Sequence, residues 1–195
     1  MQTNHDNNRR EVIAITNEFL SKSADRKLYS ITFTPHMGSV WSAGIWSNLA
    51  ARENYVLDLF DLFELNLNRR LCNNWKRKSS KPAISLGAVE DYKKNSNELS
   101  APHIHGILAI DCSVIPTLEN HLVLTNGRLR FDLGCLQGTA WASKRHLIHS
   151  IVIEPLIAQE DVERWSNYSF DINKLTFDTT TRGTRNVDYK LCRTG

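Results

Sequence analysis

The sequence predicts an α+β fold, with a central antiparallel sheet of about four to five strands backed by helices. Three observations lead there. Residues 28–34, 83–92, 103–110 and 147–156 either alternate apolar and polar side chains or run apolar, and they are rich in β-formers. Leu49, Val56, Leu59, Phe60, Phe63, Leu67 and Leu71 recur at three- and four-residue steps, the period of an amphipathic helix laid on a sheet. The second and third strands follow each other through a loop-like link, which favours an antiparallel pair.

Residues 1–10 are polar and read as a flexible start; residues 12–20 form a short helix with Ile13, Ile15, Phe19 and Leu20 as apolar positions. The first strand, residues 28–34, stops at Pro35, and Gly38 punctuates the exit. Ser47 is the expected N-cap of a long helix reaching about Cys72. A second strand covers 83–92, a polar connection 93–102 and a third strand 103–110. Residues 121–124 and 128–133 flank Asn126-Gly127, a strong hairpin signal. Residues 138–146 are helical, 147–156 form a fourth core strand stopped by Pro155, and the last helix runs from Gln159 to about Lys174. The Thr- and Arg-rich tail from about 177 to 195 lacks pattern and reads as flexible.

With 195 residues, 41% of them hydrophobic and 23% charged, the chain suits one globular domain spanning 1–195. No apolar run reaches membrane-helix length, and the polar N-terminus shows no secretory signal, so a cytoplasmic protein is expected. Cys72, Cys112, Cys135 and Cys192 form no Cys-x-x-Cys pair, which speaks against a zinc ribbon or a disulfide scaffold. The net charge of +3 is small, but its distribution is uneven. Arg69, Arg70, Lys76, Arg77, Lys78 and Lys81 lie in a stretch without an acid, with Trp75 among them. Such cations neutralise phosphates and an indole stacks on an unpaired base, so these seven residues are candidate DNA contacts. A solvated helix end is the plainer account of the same cations.

The chemistry is concentrated at His103-Ile104-His105. Two histidines one residue apart on a strand point to one face, so both imidazoles can reach one metal ion. An open metal site usually has three protein ligands. Glu90, with Ala88 and Tyr92 on one face of the neighbouring strand, is the preferred third; Asp91 lies on the other face, and strand register decides between them. A histidine-triad hydrolase would need a third alternating histidine, where Ile107 stands. A cupin would need a glutamate a few residues on, where Ala109 and Ile110 stand, and a zinc deaminase would need a later Cys-x-x-Cys. A nucleophile must come from elsewhere, and Tyr168 and Tyr189 are the candidates. His146 and His149 are read as polar residues near the site at most.

Thr32-Phe-Thr-Pro at the end of the first strand, Pro102-His-Ile-His-Gly-Ile-Leu on the third, and Ile153-Glu-Pro-Leu before a helix with Trp165 and Tyr168 resemble the HUH endonucleases. Within that group the chain is similar to the rolling-circle replication initiators of small plasmids and single-stranded DNA phages. The order of elements matches from about Leu28 to Lys174. The resemblance implies a ferredoxin- or RRM-like sheet. It implies Mg²⁺ or Mn²⁺ held by His103, His105 and an acid best matched by Glu90. It also implies a tyrosine that cuts one strand of origin DNA, stays joined to the 5′ end and frees a 3′-hydroxyl for priming. Tyr168 is favoured as that tyrosine because its helix follows the fourth strand; Tyr189 is the alternative. The family commonly places a lysine three residues after the tyrosine, where this chain has Asp171; Lys174 is the nearest lysine. No Walker A loop is present, so a host helicase and a host polymerase are the expected partners. A non-catalytic module that binds single-stranded nucleic acid is the alternative function.

Overall fold

The computed structural model describes residues 4–36, 38, 49–74, 76, 81–92 and 99–170. The elements are α1 (Asn4–Lys22), β1 (Arg26–Pro35), α2 (Leu49–Leu71), β2 (Ala83–Tyr92), β3 (Leu99–Asp111), α3 (Ile115–Glu119), β4 (Leu122–Thr125), β5 (Arg128–Phe131), α4 (Thr139–Lys144), β6 (Ile148–Pro155) and α5 (Gln159–Ser169). The six strands form one antiparallel sheet in the order β2-β3-β1-β6-β5-β4.

Strand alternation divides the core in two. Tyr29, Ile31, Phe33, Ile104, Leu108, Ile110, Ile151 and Ile153 face α2 and pack with Phe60, Phe63, Leu67 and Trp141. Phe33 meets Phe60 edge-on at 5.4 Å between ring centroids, and Phe63 meets Phe131 at 5.5 Å. Removing the fully buried Phe63 ring would cost about 3–5 kcal/mol. On the other face Ile84, Leu86, Ala88, Ile107 and Ala109 meet Val12 and Phe19 of α1 and Phe170 just after α5.

Polar bonds lock α2 to the start of β2. The buried Glu64 carboxylate accepts from Ser85 Oγ at 2.9 Å, and Asn68 Oδ1 accepts from the Ala83 backbone N–H at 2.8 Å. At the β4–β5 turn Asn126 and Gly127 have φ of 52° and 74°, the left-handed pair that a tight hairpin requires.

The α+β class and the antiparallel sheet are as expected, but the sheet has six strands. The hairpin pieces around Asn126-Gly127 join it through β5, opposite β6 at Arg130 and Val152. Helix α1 starts at Asn4, not near residue 12, so residues 4–10 are helical. A polar helix end carries no apolar period to announce it. Strand β3 starts at Leu99, so residues 99–102 are not a connection. Tyr92 pairs with Leu99 after a register shift, and Pro102 lies in that irregular stretch. There β3 has run past its last pair with β1, Phe33 with Ile104, and a missing N–H costs little. The stretch after Asp111 contains α3, which buries Leu118. Helix α5 ends at Ser169, with Phe170 as its cap. Ser47 and the tail from 177 to 195 lie outside the described residues.

Candidate metal centre

Register builds the centre. β2 pairs with β3 so that Glu90 lies opposite His103 and Ala88 opposite His105. Paired residues of an antiparallel sheet present their side chains to the same face, and residues two apart share a face. Glu90, His103 and His105 therefore converge, and one ligand atom from each lies within 4.8 Å of the others. The two imidazoles stand edge to face at 4.7 Å, and His105 Nε2 is 3.7 Å from Glu90 Oε2. Metal bonds of ~2.1 Å place ligand atoms about 3–3.5 Å apart, so small rotations of these side chains close the site on an ion. Two imidazoles and one carboxylate fit a divalent cation with coordination positions left open for water or substrate.

His105 is buried and held from behind. Its Nδ1 lies 3.1 Å from Thr32 Oγ1, and Thr32 is its direct partner on β1. With Nδ1–H donating to that hydroxyl, Nε2 keeps its lone pair towards Glu90, the arrangement in which an imidazole binds metal. The resemblance includes Thr32, but its role as an orienting partner emerges only from the β1–β3 register.

The strands also approach unusually closely here. Gly87 and Gly106 face each other across β2 and β3. A Cβ at Gly106 would overlap the Leu86 carbonyl oxygen and the Gly87 Cα. Helix α5 crosses the same face, anchored by Trp165, whose indole N–H donates to the Gly106 carbonyl at 2.6 Å. Trp165 and Tyr168 stack at 5.3 Å and 28°, and the Tyr168 ring meets His105 edge-on at 5.0 Å. Tyr168 remains 37% exposed, so a substrate can reach it. Burial, and then the Glu90 charge, push the phenol pKa up, while Arg128 draws it down.

The described part of the basic segment lies elsewhere. Arg69 and Arg70 lie in the last turn of α2, which backs the opposite sheet face, and Lys81 stands two residues before β2. From Ala83 to Glu90 the strand runs about 23 Å at ~3.3 Å per residue, so the described part of this patch sits at the far end of the sheet. Arg70 Nε donates to His121 Nε2 at 3.0 Å, and Lys81 Nζ is 3.8 Å from Glu64. Lys76 is exposed. Trp75, Arg77, Lys78, Lys174 and Tyr189 lie outside the described residues. His149 faces His36 at 6.3 Å between ring centroids and is not in the three-ligand group. Among the described residues no helix is long and apolar enough to cross a membrane.

Compared with known proteins, the chain matches no family, no curated protein and no solved structure.

Proposed function

We propose that the protein is a metal-dependent endonuclease and strand transferase of the HUH type, which nicks and rejoins single-stranded DNA to start rolling-circle replication. One observation carries the reading: a three-ligand group of Glu90, His103 and His105 with the Tyr168 ring packed directly on His105. A metal platform alone suits many reactions; an exposed phenol beside it suits phosphoryl transfer. Bound at these ligands, Mg²⁺ or Mn²⁺ would supply Lewis acidity at a phosphate oxygen. Tyr168 Oη attacks phosphorus and the P–O3′ bond breaks. The phenol proton passes to solvent and the departing 3′-oxygen takes one up. The products are a 5′-phosphotyrosine and a free 3′-hydroxyl, and the reverse attack rejoins the strand. Origin DNA as substrate, and host helicase and polymerase as partners, belong to the same reading.

The test is a denaturing gel of protein incubated with single-stranded origin DNA and Mn²⁺. A covalent adduct that needs His103 and disappears in Tyr168→Phe is expected. An adduct that survives Tyr168→Phe but vanishes in Tyr189→Phe moves the nucleophile to the tail. Binding without any cleavage or adduct returns the chain to a nucleic-acid-binding module.

A further inference from the structure

The site face carries cations that the described part of the basic segment does not supply. Arg130 lies opposite Val152, Val152 opposite Thr32, and Thr32 opposite His105. These four residues form one row across the sheet, with their side chains on one face. Phe131 provides an independent check. It packs on Phe63 in the opposite core, so Arg130 and Arg128, which alternate with Leu129 and Phe131, point to the metal side. Three strand spacings of ~4.8 Å put Arg130 Cα about 14 Å from His105 Cα, within one stretch of nucleic-acid strand. Arg128 is exposed, and its charge is felt at Tyr168.

Arg130 Nε is buried and has no hydrogen-bond partner among the described residues. Extending the β5–β6 ladder places Glu154 opposite Arg128, yet the two form no ion pair among the described residues. By contrast, Arg70 is tied to His121 and Lys81 stands beside Glu64.

We propose that Arg128 and Arg130 form a phosphate clamp on the metal side of the sheet, gripping the backbone of a single nucleic-acid strand next to the phosphate at the metal. Guanidinium groups suit this because their forked donors match phosphate oxygens in pairs. The clamp deepens the proposed function and rests on it for the identity of the strand. It adds affinity without base specificity, because phosphate contacts position a strand rather than read it.

The test is the salt dependence of binding to a fluorescent single-stranded oligonucleotide, without metal, for wild type, Arg128→Gln, Arg130→Gln and Arg69→Gln/Arg70→Gln. Each lost phosphate contact should lower the slope of log K against log salt by about 0.7. Arg128→Gln and Arg130→Gln should each lose that slope and several-fold affinity, and the Arg69/Arg70 variant should keep both. If Arg130→Gln fails to fold, the exposed Arg128 decides alone. An unchanged slope in Arg128→Gln, loss only in the Arg69/Arg70 variant, or no strand binding by wild type overturns the clamp. Arginine-dependent binding with no adduct at either Tyr168 or Tyr189 overturns the nicking reading and leaves the clamp standing.

Discussion

Thr32 and His105 face each other across β1 and β3, and the Thr32 hydroxyl holds His105 Nδ1 at 3.1 Å. With Nδ1–H donating to that hydroxyl, Nε2 is left with its lone pair towards Glu90. Thr32→Val keeps the shape but leaves a buried imidazole N–H unpaired, and orienting partners of this kind typically contribute 10–100-fold in metal affinity. Mn²⁺ affinity, read by titration calorimetry, should fall at least about 10-fold in Thr32→Val, while Thr32→Ser retains most of it. Equal affinity in wild type and Thr32→Val would remove Thr32 from the site.

Metal binding should stabilise the fold through the same three ligands. An ion at about 100 times its Kd adds about 2.7 kcal/mol, which for a chain of this size is a rise in Tm of about 5–10 °C. Differential scanning fluorimetry with and without Mn²⁺ should show that rise in wild type. Glu90→Gln and His103→Asn should lose most of it. A full rise in both variants would place the ion elsewhere.

Tyr168 titrates above the ordinary phenol value of about 10, chiefly because burial disfavours the phenolate and Glu90 repels it. The neutral phenol is therefore the form the fold prefers. Its contribution to stability is present below pH 10 and is lost as pH rises through the raised pKa. In metal-free protein, the alkaline loss of stability should be steeper for wild type than for Tyr168→Phe. The near-ultraviolet phenolate signal assigned to Tyr168 should appear earlier in Glu90→Gln and later in Arg128→Gln. An unchanged titration in both variants would separate Tyr168 from those charges.

The grouping of Glu90, His103 and His105 was legible because strand alternation is a local property. His103 and His105 need only a strand to share a face, and Glu90 needs only an antiparallel neighbour in the observed register. Thr32 as an orienting partner, and Arg128 and Arg130 on the metal side, depend on pairings between strands far apart in sequence. Those pairings are decided by the whole core. Arg69 and Arg70 show the converse limit: charge density is local, but the face a cation occupies is set by how α2 packs. The helical start at Asn4 was hidden because apolar spacing marks only the part of a helix that is buried.

Gly106 is the position where backbone, helix and site meet. Any side chain there collides with the Leu86 carbonyl and with Gly87 across β2, and backbone cannot yield as a flexible side chain does. The Gly106 carbonyl also receives the Trp165 indole N–H, so a shift of β3 is felt by α5 and by Tyr168 stacked on Trp165. Gly106→Ala should cost about 1–3 kcal/mol through overpacking, a fall in Tm of several degrees. It should also weaken Mn²⁺ binding, because spreading β2 from β3 moves Glu90 away from His103. Gly127→Asn makes a useful control: its turn lies in open space, and asparagine tolerates the left-handed backbone there. Thermal melts and Mn²⁺ titrations of both variants check the argument. A Gly106→Ala protein with wild-type Tm and metal affinity would show that the two strands do not need their close approach.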